Sequence, residues 1–174
     1  VRSVRPAPAA PTCPVTLAPG RAAHQDLARA LSGAPLAWGS TPSELDRACA
    51  GSTTSVPTSA CRAALVQMRS TPWAPAWALP SRTETHLAFH PSRGLFEVMV
   101  YSHAEVEALA AAVEQRLGAP HRVEGRGRIG DYPSGTRLRV SPLVNHAPGR
   151  SAIRVFHPPV AAMYGQSLRD SGCR

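Results

Sequence analysis

One stretch decides the fold: residues 84–118 read ETHLAFHPSRGLFEVMVYSHAEVEALAAAVEQRLG. Two runs rich in apolar residues, 84–90 and 95–101, flank the tetrapeptide Pro91-Ser92-Arg93-Gly94. A short loop with glycine at a left-handed position is typical of a β-hairpin. The stretch therefore predicts a hairpin that is followed directly by a helix.

The helix after the hairpin has recognisable start and stop signals. Ser102 as N-cap and Glu105 three residues later predict a capping box, and Gly118 predicts the C-terminal end. Apolar residues recur at helical spacing and predict the side that packs on the sheet: Val106, Leu109, Ala110, Val113 and Leu117.

Upstream of the hairpin, the sequence predicts further helices and leaves one segment open. Apolar spacing over residues 21–32 predicts a first helix. Thr41 as N-cap and Glu44 three residues later predict a second helix over 42–50. Residues 59–69 fit a helix or a strand equally well.

Downstream of residue 118, three strands are predicted at about 121–129, 136–141 and 151–157, joined by turns rich in Gly and Pro. Two or three helices, a hairpin and a three-stranded meander predict an α+β fold with helices packed on antiparallel sheet. The segments Gly39–Gly51 and Tyr101–Gly118 share a cap, a carboxylate and a closing glycine, offset by 61 residues. A tandem of two similar units is therefore an alternative to a single unit.

The predicted folded part is a single domain over residues 13–174. Residues 1–12 contain three prolines and no apolar periodicity, which predicts an extended tether. No run approaches ~18 consecutive apolar residues, so the sequence predicts no transmembrane helix. Because the chain begins at Val1 rather than Met, we expect an earlier N-terminus to have been removed; a signal peptide, with or without a lipid-anchored cysteine, could have preceded it.

The basic charge is weaker evidence for a nucleic-acid partner than its size suggests. The formal net charge is +8, but all 19 basic residues are arginine. Together with the abundance of Ala, Pro and Gly, this bias is typical of a GC-rich bacterial genome, in which arginine codons are frequent whatever the function. A nucleic-acid partner is therefore not predicted.

The chain has four cysteines, at positions 13, 49, 61 and 173, without a C-x-x-C pair. This spacing argues against zinc and thioredoxin-like chemistry and favours disulfides, which persist in oxidising compartments. Four cysteines allow three connectivities. Of these we favour a local Cys49–Cys61 bridge and a long Cys13–Cys173 bridge that joins the two ends of the domain.

Residues 37–61 carry a family resemblance. Trp38-Gly39-Ser40-Thr41, then Glu44-Leu45 and a downstream glycine resemble the start of small extracytoplasmic modules of the outer-membrane-assembly lipoproteins and the β-lactamase-inhibitory proteins. Those modules are non-enzymatic and bind other proteins through one sheet face. In the inhibitory proteins, cysteines a dozen residues apart bracket the loop after such a helix, as Cys49 and Cys61 would here. The resemblance transfers no functional residue to this chain.

Two motifs that suggest chemistry have more ordinary interpretations. The run Gly125–Gly130 matches G-x-G-x-x-G, but turn residues follow it instead of a helix, so we interpret it as a glycine-rich hairpin and predict no cofactor. His86 and His90 would share a strand face, but the sequence places no third ligand nearby, so no metal is predicted. The chain lacks the H-E-x-x-H, G-x-S-x-G and P-loop motifs.

A small basic secreted hydrolase such as a ribonuclease is the alternative function. Such an enzyme needs histidines and a carboxylate as acid and base. The candidates are Glu97, Glu124, His121 and His157. Nothing in the sequence pairs these residues, and we assign no catalytic residue.

The predicted C-terminal strands carry arginines that alternate with apolar residues, as in an antiparallel sheet with one apolar and one outward side. The candidate binding residues are Arg122, Arg126, Arg128, Arg137, Arg139 and Arg154. This arginine face is either a solvated surface or a docking surface. We expect a non-enzymatic accessory or inhibitor protein of the periplasm, cell envelope or secreted fraction. Its expected partner is another envelope or secreted protein, and an acidic surface on that partner would suit the arginine face.

Overall fold

The computed structural model describes residues 13, 27–34, 36–49, 53–75, 77–132, 135–144 and 149–173. The described helices are α1 (Leu27–Ser32), α2 (Pro42–Ala48), α3 (Ala60–Ala63), α4 (Val106–Leu117) and α5 (Pro158–Asp170). The strands are β1 (Thr54–Ser55), β2 (Gln67–Thr71), β3 (Thr83–His90), β4 (Gly94–Ser102), β5 (Arg122–Glu124), β6 (Gly127–Asp131), β7 (Arg137–Pro142) and β8 (Ser151–Phe156). The predicted tether at 1–12 lies outside the described residues.

All eight strands form one antiparallel sheet in the order β1-β2-β3-β4-β8-β7-β6-β5. The predicted α+β class is therefore confirmed, with helices packed on antiparallel sheet. The predicted hairpin is β3–β4, and it joins the C-terminal strands through β4 and β8, where Val98 pairs with Val155. Hairpin and meander are thus parts of one sheet.

The chain repeats one arrangement twice. Helix α2 is followed by β1 to β4, and helix α4 is followed by β5 to β8. Each set of four strands is a meander, and the sheet order places the last strand of each set at the centre and the first at an edge. The short helix α3 has no counterpart among the described residues of the second set. The element order therefore agrees with the tandem of two similar units.

The main core lies on the side of the sheet that faces α1, α2 and α4, which we call the first face. Apolar residues of the strands, such as Leu87, Val98 and Ile153, are fully buried there against Leu31 and Leu109 of the helices. The predicted stripe of α4 is confirmed, because its central residues are buried and its outer residues pack against the same cluster.

A second, smaller core lies on the opposite side, the second face. Ala88 pairs with Glu97 and Phe89 with Leu95, so a β-bulge leaves Phe96 as an extra residue in β4. A bulge re-aims side chains locally, and Phe96 turns to the second face, where it is fully buried with Val66, Ala88 and Met99. Helix α5, which the sequence reading did not predict, covers this cluster through Val160, Ala161 and Tyr164.

The favoured disulfide pairing is wrong. The bridges are Cys13–Cys49 and Cys61–Cys173, with Cα–Cα distances of 5.2 and 5.9 Å. Cys49 is buried in the first-face core, whereas Cys61 is exposed and meets the end of α5, which lies on the second face. Two cysteines held on different sides of a sheet cannot reach each other, although they are close in sequence. The two bridges indicate an oxidising, extracytoplasmic environment.

Some local predictions are confirmed. The capping box of α2 is present, with Glu44 N donating to Thr41 Oγ1 at 3.2 Å and Thr41 N donating to a Glu44 carboxylate oxygen at 2.6 Å. Helix α1 lies within the predicted 21–32, of which residues 21–26 lie outside the described part. Residues 59–69 combine both alternatives, because α3 is followed by the start of β2.

Other local predictions are wrong. Helix α4 has Glu105 at its N-cap without a side-chain cap, and the Ser102 hydroxyl accepts instead from Ala104 N at 3.1 Å. The predicted strand at 121–129 is a hairpin, β5–β6, that reverses at Gly125-Arg126, because Gly125 has a positive φ of 57°. The interpretation of the glycine motif as a hairpin is confirmed. No described helix is long and apolar enough to cross a bilayer.

Candidate functional site

The second face has two halves of different character. The covered half, defined by Val66, Ala88, Phe96 and Met99, lies beneath α5. The open half-face consists of the β5–β8 residues on the same side, together with Glu97 at its border with β4. Its members that carry charge are Arg122, Glu124, Asp131, Arg137, Arg139, Arg154 and Glu97.

Cross-strand register sets which arginines share this half-face, because directly paired residues of antiparallel strands point to the same side. Arg122 pairs with Ile129, Ile129 with Arg139, and Arg139 with Arg154. Ile129 is only 3% exposed although no helix of the described chain covers it. Its cross-strand neighbours on both sides are arginines, and the aliphatic stems of arginine can cover apolar surface while the charged ends stay in water.

Two arginines at the β5–β7 end share one carboxylate. Asp131 accepts from Arg122 Nη1 at 2.8 Å and from Arg137 Nε at 2.5 Å, and Glu124 accepts from Arg122 Nε at 3.2 Å. The hydrogen bond from Arg137, together with the positive charges of both arginines, holds the pKa of Asp131 below its usual value, against a smaller opposing effect of burial. This network orders the side chains of the half-face.

At the border between the halves, Arg154 is paired with a buried carboxylate. Its Nε donates to Glu97 Oε1 at 2.5 Å, and the Glu97 side chain is 6% exposed. Burial lowers the pKa of Arg154, but the charge and hydrogen bond of Glu97, together with smaller contributions from Tyr101 and Tyr164, outweigh it, so that the pKa lies above its usual value. Burial, and next the charge of Glu97, raise the pKa of the neighbouring Tyr101.

Arg139 differs from the other arginines of the half-face. Within the described chain it forms no ion pair with an acidic residue, and its buried Nε has no hydrogen-bond partner there. The guanidinium lies over Gly127, where a Cβ would stand 3.0 Å from Nε and 3.3 Å from Nη2. Gly127 therefore provides the space that Arg139 occupies, a role that the sequence reading of the glycine motif missed.

The structure brings together four of the six predicted binding arginines: Arg122, Arg137, Arg139 and Arg154. Arg126 lies exposed at the β5–β6 turn. Arg128 is on the first face, because it pairs with the core residue Val140, and its predicted place beside Arg122 is wrong. The reversal at Gly125-Arg126 explains the error, since it breaks the strand alternation on which the prediction depended.

The residues of the hydrolase alternative are not assembled into one site. Glu97 binds Arg154 and Glu124 binds Arg122. His121 Nδ1 accepts from Asp131 N at 2.8 Å, while His157 lies beside Trp38 with ring centroids 6.3 Å apart. A general acid and a general base must reach the same reacting group, and in the described chain none of these four residues hydrogen-bonds another.

Two features were missed by sequence reasoning. Glu97 is 57 residues from Arg154, and no local pattern links them. His86 bonds Glu84 with Nε2 and Oε1 2.5 Å apart and packs edge-on against Tyr101 with ring centroids 5.0 Å apart. The even spacing of residues 84 and 86 on one strand was the available signal for that pair.

In the described part of the chain, no group of three or more His, Cys, Asp or Glu could hold a metal ion.

Comparisons of the chain with protein-family models, with curated proteins and with solved structures found no match.

Proposed function

We propose that this chain is an extracytoplasmic binding protein that docks another envelope or secreted protein on the open half-face and catalyses no reaction. The observation that carries this function is the uneven cover of the sheet. Helices pack on the first face and α5 packs on the covered half, whereas the β5–β8 part of the second face displays long side chains to solvent.

The order of the half-face also supports docking. Ion pairs through Asp131 and Glu97 hold three of its four arginines in place. A surface that is ordered before binding loses less side-chain entropy when a partner arrives. The resemblance of residues 37–61 to modules that bind proteins through one sheet face favours the same function.

A position-specific cross-link tests the proposal. A photoreactive benzoylphenylalanine at position 139 is compared with one at position 116, where an arginine lies exposed on α4. After illumination in the native cell envelope, we expect a protein adduct of defined mass from position 139 only. Unlabelled wild-type protein should compete it away, because a specific site saturates. Equal adducts from both positions, or none from 139, would contradict docking on this half-face.

A further inference from the structure

We propose that Arg139 is the receptor for a carboxylate side chain of the partner, so that the open half-face recognises an acidic protein segment. This inference rests on the proposed function, because it names the chemistry of the same surface. It goes beyond a generally basic face, since it assigns recognition to one side chain.

Among the described charged residues of the half-face, Arg139 is the arginine without a carboxylate partner. Four arginines face three carboxylates there, and each carboxylate already accepts from an arginine other than Arg139. One carboxylate from outside would complete the set. Arginine binds a carboxylate through two parallel N–H donors, a geometry that favours Asp or Glu at this position.

The placement of Arg139 keeps it away from its like-charged neighbour. Arg139 pairs directly with Arg154 across β7 and β8, and like charges in such a pair repel. Arg154 extends over β4 to Glu97, whereas Arg139 extends over β6 to Gly127. The Nε of Arg139 is thereby buried without an acceptor among the described residues, so a carboxylate from outside would bind the end of the guanidinium, through Nη1 and Nη2.

The neighbours of Arg139 favour a single carboxylate over a polyanion. Glu124 is paired with Gly127 across the β5–β6 hairpin, and Asp131 lies two residues beyond Ile129 on the same side of β6. Because these acids are paired with arginines, four arginines and three carboxylates leave the half-face with a net charge of 4 − 3 = +1, which one carboxylate balances and which is small for the continuous negative charge of a nucleic-acid backbone or an anionic membrane. Among the described residues of the half-face, Phe156 is the one aromatic side chain, whereas single-stranded bases stack on a series of them.

Binding of a defined acidic peptide tests the inference. The probe is a fluorescent, end-capped peptide of about twelve residues with repeating Glu-Gly-Ser, and its control has Gln in place of Glu. We expect Arg139→Gln to weaken binding of the Glu peptide about tenfold, as loss of a charge-assisted pair does. Arg116→Gln, with the same change of net charge on α4, should weaken it less than about twofold.

A second pair of variants leaves the charge unchanged. Gly127→Ala places a methyl group against the Arg139 guanidinium, whereas Gly165→Ala meets only an ordinary contact at 3.7 Å. The methyl group must displace the guanidinium by a few tenths of an ångström, so we expect the first variant to weaken binding of the Glu peptide by less than Arg139→Gln does, and the second to leave it unchanged. Thermal unfolding of each variant verifies that it is folded.

Several outcomes would overturn the inference. Equal losses in Arg139→Gln and Arg116→Gln would mean general charge attraction, and binding of the Gln peptide would exclude carboxylate recognition. Tighter, Arg139-dependent binding of an oligonucleotide or of phosphatidylglycerol vesicles would assign another class of partner. If the peptide binds through Arg139 but position 139 forms no protein adduct in the envelope, the proposed function fails and the carboxylate site remains. If position 139 forms a protein adduct in the envelope but the peptide does not bind through Arg139, the carboxylate site is excluded and the proposed function remains.

Discussion

The covered half and the open half-face belong to the same side of one sheet, yet they are built differently. Beneath α5 the side chains of Val66, Ala88 and Met99 are apolar, and the bulge at Phe96 adds a large aromatic ring that α5 covers, while the same side of β3 also carries the pair His86–Glu84. On the open half-face the outward positions carry arginines and their carboxylates. Strand alternation alone therefore does not decide which surface is solvated; the residue type on the outward side does.

The largest effect expected from this comparison concerns the bridge that ties α5 down. Changing Cys61 and Cys173, which are 112 residues apart, to Ser should lower the free energy of unfolding by about 5 kcal/mol. Changing Cys13 and Cys49, which are 36 residues apart, to Ser should lower it by about 4 kcal/mol. Hydrogen exchange of residues 158–170 should accelerate only in the first variant, because α5 has no fully buried residue of its own. Unchanged exchange in α5 would show that its packing needs no bridge.

The border between the halves should give the next largest effect. Arg154→Gln leaves the buried Glu97 carboxylate without its cation and should destabilise the fold by about 2 kcal/mol, less than for a fully buried pair because Arg154 is partly exposed. Arg139→Gln, which breaks no ion pair, should stay within about 0.5 kcal/mol. The double variant Glu97→Gln/Arg154→Gln should recover most of the loss in urea unfolding. Equal stability of the two single variants would contradict this distinction.

The smallest effect concerns Asp131 on the open half-face. Its pKa is lowered in the folded state, so its ion pairs stabilise the fold above the ordinary carboxyl value of about 4 and are lost as the pH falls through the lowered pKa. Asp131→Asn should therefore be less stable than wild type at pH 7, by less than about 1 kcal/mol because the carboxylate is largely exposed. The difference should vanish in acid, as urea unfolding at several pH values can test. Glu107→Gln on α4 is the control, and a difference that does not shrink as the pH is lowered would contradict the assignment.

The sequence predicted what local patterns determine. The hairpin β3–β4, the apolar stripe of α4 and the capping box of α2 depend on residues a few positions apart, and all three are present. The alternation of β7 and β8 likewise placed Arg137, Arg139 and Arg154 outward.

What the sequence did not predict depends on contacts across the sheet. The disulfide pairing follows from the side of the sheet on which each cysteine lies, and α5 sets that side for Cys173. Helix α5 begins with two prolines and contains Gly165, and these residues favoured a loop in the sequence-based prediction. Proline is nevertheless well suited to the first turn of a helix. The partner of Arg154 comes from a strand 57 residues earlier.

Covalent carbene labelling of the free wild-type protein and of its complex with the partner that the cross-link identifies tests docking on the open half-face most directly. We expect labelling to fall at Arg122, Arg137 and Arg139 in the complex, while the exposed residues of α4 and α5 label as in the free protein. A fall confined to α4 or α5, with the three arginines unchanged, would contradict the assignment of the open half-face as the docking surface.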